Sequence, residues 1–186
     1  LERRGAIVGL LTTAGFRDVL EIRKGAWDDW YNLFWVPEPP LVPRRMRLPI
    51  RERITADGEV YTAFEPEDVV QAYEVLKQEE VTAIAVAFMN AYTNPAHEIE
   101  AEKILREAGF DGAISLSHRV SGEYRDYERT STTVIDAFVR RRLSSYMQHI
   151  ETSLRENGFK GNCLVTRSGG GSMNFSEAQD RPFETI

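Results

Sequence analysis

Between Ser121 and Phe138 the sequence SGEYRDYERTSTTVIDAF crowds four hydroxyls, Thr130, Ser131, Thr132 and Thr133, behind Arg129. The apolar spacing that follows predicts a long helix, with the hydroxyls at its entrance. A helix entrance leaves backbone N–H groups unpaired and carries a positive partial charge, so it suits an anion such as phosphate. Serine and threonine also cap helices with no ligand present, and residue chemistry alone leaves both readings open. Asp126, Glu128 and Asp136 flank the run and are candidates for holding Mg2+ or moving a proton.

A second candidate is the loop Ser168-Gly169-Gly170-Gly171-Ser172. It follows an apolar run, Leu164 to Thr166, and precedes a short helix predicted from Ser176. Glycines let backbone N–H groups approach an anion without interference from Cβ. The lysine of a GxxxxGK[ST] loop is missing, so this is not a Walker loop, and a plain flexible turn is the competing reading.

The three histidines, His97, His118 and His149, show no metal-ligand spacing, and no metal site is expected. His118 follows a predicted strand directly, at the end where α/β proteins place ligands. His97, in the first turn of a predicted helix, reads as a surface or capping group. The cluster Trp27, Trp30, Tyr31, Phe34 and Trp35 reads as core or as a subunit contact. The lone Cys163 excludes an internal disulfide, fits a reducing cytoplasm and reads as a buried, inert thiol. Arg140-Arg141-Arg142 reads as a solvated helix face.

These residues need a scaffold, and apolar periodicity supplies one. Ala6 to Leu11 and Thr82 to Met89 read as buried strands, the second central, and Ala113 to Leu116 as a further central strand. Thr12 and Thr13 are expected to break the first. Phe16 to Ile22 reads as a short helix, and the prolines from Pro37 to Pro43 as an extended connector. Arg45 to Ile54 alternates apolar and arginine residues like a half-buried edge strand, its arginines outward and Pro49 among them. Asp57-Gly58 marks a hairpin turn, returning through Val60 to Phe64. Glu65-Pro66 opens one helix; Asn94-Pro95 opens another, with Asn94 as its cap and Gly109 as its end. Val134, Phe138, Leu143, Tyr146, Met147, Ile150 and Leu154 recur at helical spacing, which predicts one helix from Tyr127 to Glu156. Helix, strand, helix, strand implies α/β, a parallel or mixed sheet with crossover helices.

The chain has 186 residues, 42% hydrophobic and 28% charged, a normal soluble composition. Its net charge of −6 argues against nucleic-acid binding. No apolar run is long enough to span a bilayer, and no membrane partner is expected. The opening LERRGAIVGLL and the closing PFETI read as cuts within a longer protein.

Several stretches in order resemble the hydantoinase A/5-oxoprolinase family, which includes acetone-carboxylase-type subunits. LERRGAIVGLLTTAGFRDVLEI, PLVPRRMRLPIRERITADGEV and AVAFMNAYTNPAHEIEAEKIL are similar to successive family blocks. SLSHRVSGEYRDYERTSTTVIDAF is the most specific, and LVTRSGGGSM with RPFETI resembles the approach to a glycine-rich phosphate segment. WDDWYNLFW is unlike the usual hydantoinase stretch.

The resemblance implies an actin/sugar-kinase-like, ribonuclease-H-like two-lobe fold. Residues 1–120 would be the remainder of the first lobe, and 121–186 the junction helix and start of the second. It implies an ATP-dependent enzyme that phosphorylates a cyclic amide carbonyl for ring-opening hydrolysis, or else a ketone carboxylase; a non-catalytic assembly module is the further alternative. ATP and Mg2+ would serve the full-length protein, with neither held tightly by this fragment, which alone would be inactive. The implied partners are a cyclic amide or ketone substrate and a hydantoinase B-type subunit. By this analogy Arg129, Thr130, Ser131 and Thr132, with Ser168, Gly169, Gly170 and Gly171, face the cleft between lobes, with His118 nearby.

Overall fold

The computed structural model describes residues 5–25, 29, 31–36 and 38–185. Trp27 and Trp30 of the aromatic cluster lie outside these residues. The first apolar run forms β1 (Val8–Thr13), followed by the one-turn α1 (Val19–Ile22). A segment rich in proline leads to β2 (Arg47–Ile50), then β3 (Arg53–Ile54) and β4 (Val60–Thr62). Then come α2 (Pro66–Gln78), β5 (Ala83–Ala87), α3 (Ala96–Glu107), β6 (Ala113–Leu116) and α4 (Ser117–Val120). The long α5 (Asp126–Glu156) precedes β7 (Leu164–Thr166), β8 (Ser172–Asn174), α6 (Phe175–Asp180) and a final 3-10 turn, Pro182–Thr185.

The main sheet has the order β2-β1-β5-β6, and every pairing in it is parallel. Crossovers through α2 and α3 make this possible, as the alternating sequence pattern implies. Every residue of β1 and β5 is buried, so both faces of the sheet are covered. Helices α2 and α3 pack on the sheet and on each other, and α5 packs across β1, β5 and β6. Leu11, Leu76, Ile84 and Leu105 are wholly buried in the core, each stabilising the fold by about 1.5–3 kcal/mol.

Five local expectations need correction. Thr12 and Thr13 do not end β1 but belong to it, and both are buried. Strand β6 is at the sheet's edge, not its centre. The alternating segment from Arg45 to Ile54 is not one strand. Pro49 offers no N–H, and the Arg51 amide donates to the Asp68 carboxylate at 2.9 Å. The chain therefore leaves the parallel edge, and β3 pairs antiparallel with β4 across the Asp57-Gly58 turn, where Gly58 has φ +85°. Nor do all its arginines face water: Arg47 is 1% exposed and donates to the Val42 carbonyl at 2.9 Å and to Glu21 at 2.8 Å. Helix α3 begins one residue late, Pro95 standing at the cap while the Asn94 side chain accepts from the Ala96 amide at 3.1 Å.

No helix among the described residues is long and apolar enough to cross a membrane.

Candidate functional site

The C-terminal ends of β1, β5 and β6 lie at the same edge of the parallel sheet, and polar side chains gather there. Glu98, in the first turn of α3, is fully buried. A buried carboxylate must be satisfied by donors, and this one has four. Oε1 accepts from the Phe88 amide at 3.0 Å and from Ser117 Oγ at 2.5 Å. Oε2 accepts from the His118 amide at 3.0 Å and faces His118 Nδ1 at 2.6 Å.

Arg129 reaches the same network from α5. Its Nη1 donates to the Phe88 carbonyl at 2.8 Å and to Ser117 Oγ at 2.5 Å, and its Nη2 to Asp126 at 3.4 Å. The guanidinium also lies 5.8 Å from the centre of the Tyr92 ring. It is 1% exposed, and its Nε has no hydrogen-bond partner among the described residues.

A second cluster adjoins it through the peptide that joins His97 to Glu98. Thr13 Oγ1 accepts from the Met89 amide at 2.8 Å and donates to Glu52. The other oxygen of Glu52 faces His97 Nδ1 at 2.8 Å. The His97 ring stacks on Phe64 with centroids 5.4 Å apart. His97 is therefore buried and paired, not a surface or capping group.

The hydroxyl run sits one turn deeper than its sequence suggests. Helix α5 starts at Asp126, so its first turn carries Asp126 and Glu128, and Thr130 to Thr133 follow. Thr130 and Thr133 are buried, and Thr133 donates back to the Arg129 carbonyl at 2.6 Å. Ser131 lines a groove of about 190 Å3 with Arg23, Pro39, Pro40 and Tyr127. Thr132 is half-buried. Asp126, Glu128 and Asp136 do not converge. Glu128 pairs with Lys24 and Arg125, and the Lys24 ammonium holds its carboxyl below the ordinary range. Asp136 is fully buried against Ser115 and Arg140. Arg140 is thus a partner of the interior, unlike the exposed Arg141 and Arg142.

The glycine loop is the turn of the β7–β8 hairpin, not a strand-to-helix turn. Gly170 and Gly171 hold φ of +93° and +82°, a conformation suited to glycine. The Gly170 amide donates to the Arg167 carbonyl at 3.0 Å, and the Ser168 amide to the Glu184 carbonyl at 2.7 Å. Two of the turn's amides are thereby committed, and acids occupy the first turn of α5. No group of three or more His, Cys, Asp or Glu among the described residues could hold a metal ion.

Ser117 and His118 thus meet at Glu98 and Arg129 joins them through Ser117, while the β7–β8 turn is a separate feature. Sequence reasoning missed Glu98, Glu52 and Ser117. Position is a legible signal for two of them, since Ser117 follows β6 directly and Glu52 comes two residues after β2, but not for Glu98 in the first turn of α3. Tyr31 and Phe34 are 97% and 91% exposed, so those members of the aromatic cluster are not core. Cys163 is half-buried instead of buried.

Residues 1–109 match the family model for the hydantoinase/oxoprolinase N-terminal region, and residues 129–186 match that for hydantoinase/oxoprolinase. The chain is 34% identical over 92% of its length to caprolactamase subunit alpha of Pseudomonas jessenii, covering 25% of that protein. It is 34% identical over 98% of its length to the acetophenone carboxylase gamma subunit of Aromatoleum aromaticum, covering 27% of it. The crystal structure of ATP-dependent caprolactamase from Pseudomonas jessenii superposes with a TM-score of 0.88 at 31% identity, over 98% of this chain and 28% of that one. The chain therefore spans about a quarter of the length of these relatives.

Proposed function

The chain belongs to the hydantoinase/oxoprolinase family, and on that premise we propose that it is part of an ATP-dependent enzyme that opens a cyclic amide by hydrolysis. The observation that carries this reading is the likeness to ATP-dependent caprolactamase, in sequence and in backbone together. Amide resonance makes the carbonyl carbon a poor electrophile. Phosphorylating the carbonyl oxygen converts it into a leaving group, and Mg2+ offsets the charge on the transferred group.

In this reading the protein has the two-lobe actin/sugar-kinase-like fold. Residues 1–120 complete the first lobe; residues 121–186 supply the junction helix and the start of the second. The described residues build the floor of the cleft more than its phosphate site. Arg129 and Thr130 brace that floor from within. His118, Ser131 and Thr132 keep partial exposure and are assigned to the substrate side. Ser168 to Gly171 are assigned to the approach of the nucleotide, whose main contacts come from the rest of the protein. A second, hydantoinase B-type subunit completes the enzyme, and the cytoplasm is its compartment.

A carboxylase reading is supported by the acetophenone carboxylase gamma subunit, at the same identity. One assay separates the two. The whole protein with its partner subunit is given ATP and Mg2+, with either a lactam or a ketone plus bicarbonate. ADP release that requires the lactam supports the hydrolase; ADP release only with ketone and bicarbonate overturns it. The 186-residue chain alone, titrated calorimetrically with ATP and Mg2+, is expected to give no binding heat while melting cooperatively. Clear one-to-one binding would refute the assignment of the main phosphate contacts to other parts of the protein.

A further inference from the structure

Glu98 and His118 form a carboxylate–imidazole dyad to which the proposed activity assigns no step. Nδ1 of His118 is 2.6 Å from Glu98 Oε2, and the amide of the same residue donates to the same oxygen at 3.0 Å. Two bonds from one residue to one oxygen fix both the position and the tilt of the ring. A carboxylate only accepts, so in the neutral tautomer that suits this pair Nδ1 carries the proton and Nε2 the lone pair.

The charge of Glu98 is met from another side. Arg129 donates to Ser117 Oγ at 2.5 Å, and Ser117 donates to Glu98 Oε1 at 2.5 Å. The buried carboxylate therefore has a buried guanidinium close by, through one hydroxyl. Asp126 is the further acid in contact with this guanidinium. The side chain of His118 keeps 14% of its surface exposed while that of Glu98 keeps none. The ring thus stands at the C-terminal edge of a parallel sheet, where α/β proteins bind small molecules. One nitrogen is committed to Glu98, and the ring keeps part of its surface exposed at that edge.

Resting on the reading of the protein as a cyclic amide hydrolase, we propose that His118 is the base of the ring-opening step and Glu98 its positioning residue. The reacting group is the lactam phosphorylated on its oxygen. Nε2 takes a proton from water as the water oxygen bonds to the carbon, the carbon–nitrogen π pair moves onto the ring nitrogen, and the imidazolium gives that nitrogen the proton. The proton of the new hydroxyl then passes to the same nitrogen as the carbon–nitrogen bond breaks, leaving an acyl phosphate and an amine. A second water converts the acyl phosphate to carboxylate and phosphate.

The test uses the whole protein with its partner subunit. His118→Asn keeps a donor toward Glu98 and removes the base. Its kcat for lactam opening is expected to fall about 100-fold, as loss of a general base does, with KM and melting temperature little changed and partial rescue by added imidazole. Glu98→Gln tests positioning through nitrogen NMR of labelled histidine. The wild type should show His118 protonated at Nδ1, and the variant should lose that preference. Lactam opening by His118→Asn within about twofold of wild type overturns the base while leaving the assignment of activity intact. A wild type with no lactam-dependent ADP release overturns the assignment of activity, and the base with it. A wild-type His118 protonated at Nε2 overturns the role of Glu98 whatever the activity.

Discussion

The guanidinium of Arg129 and the carbonyl oxygen of Phe88 are 2.8 Å apart, which ties the long helix α5 to the chain just past the end of β5. The same nitrogen reaches Ser117, so one buried cation braces three segments. Arg129→Met removes the charge and the buried hydrogen bonds to the Phe88 carbonyl and Ser117. The expected loss is about 3 kcal/mol of unfolding free energy, the scale of losing hydrogen bonds made by a charged group. Arg129→Lys should recover only part of it, because an ammonium cannot match the planar fork. Urea unfolding measures both; a loss no larger than that of a surface arginine would show that Arg129 is not a brace.

Gly9 is in β1 opposite Ile84 of β5, and a Cβ placed on it would stand 2.6 Å from Leu76 Cδ2 and 2.7 Å from Cδ1. Leu76 is wholly buried and has little room to turn. Gly9→Ala should destabilise by about 1–3 kcal/mol through overpacking. If the clash is the cause, Gly9→Ala and Leu76→Ala will not be additive, and the double variant will lose less than the sum of the two. Additive losses would place the cost elsewhere.

Much of the fold is legible because burial and periodicity agree. The continuous apolar run from Thr82 to Met89 has the signature of a strand covered on both faces, and it forms the centre of a parallel sheet. The seven apolar positions from Val134 to Leu154 fall on one helix of 31 residues. The alternating arginines misled because alternation reports only a period of two, not which face is apolar in the end. Arg47 is buried because Glu21 and the Val42 carbonyl meet its guanidinium, and both come from elsewhere in the chain.

The site was legible only at its ends. His118 announces itself by following a strand, and Arg129 by standing before the hydroxyls. Glu98 looks like an ordinary first-turn acid, and nothing local distinguishes it from the exposed Glu100. Its role comes from pairing with groups ten and twenty residues away, Phe88 and His118. The hydroxyls were placed at a helix entrance because serine and threonine favour caps, yet α5 begins earlier, and Thr133 satisfies itself on the Arg129 carbonyl.

Asp136 links α5 to β6, accepting from Ser115 Oγ at 2.5 Å and from Arg140 at 2.7 Å on one oxygen. Its other oxygen is buried with no partner among the described residues. Asp136→Asn keeps the shape and removes the charge that holds Arg140, so stability should drop by about 2 kcal/mol, the scale of hydrogen bonds to a charged group. Ser115→Ala, which loses one donor, should cost less. Equal losses in guanidinium unfolding would mean that packing, not charge, sets the cost.

Asp68 contributes a pH dependence. The Arg51 guanidinium donates to it at 2.7 and 2.8 Å and the Arg51 amide at 2.9 Å, and the first of these causes, the side-chain bonding, holds its carboxyl below the ordinary 3.8. A carboxyl depressed in the folded state stabilises the fold fully above its unfolded value and loses that contribution as pH falls through its folded value. The lost stability therefore falls in the window below the ordinary 3.8. Asp68→Asn should flatten the stability curve in that acidic window. Because Arg51 is largely exposed, salt should shrink the difference between the two proteins. An unchanged slope on acidification would mean that the Arg51 pair forms equally in the unfolded chain, and that the antiparallel β3–β4 segment is anchored to α2 by packing alone.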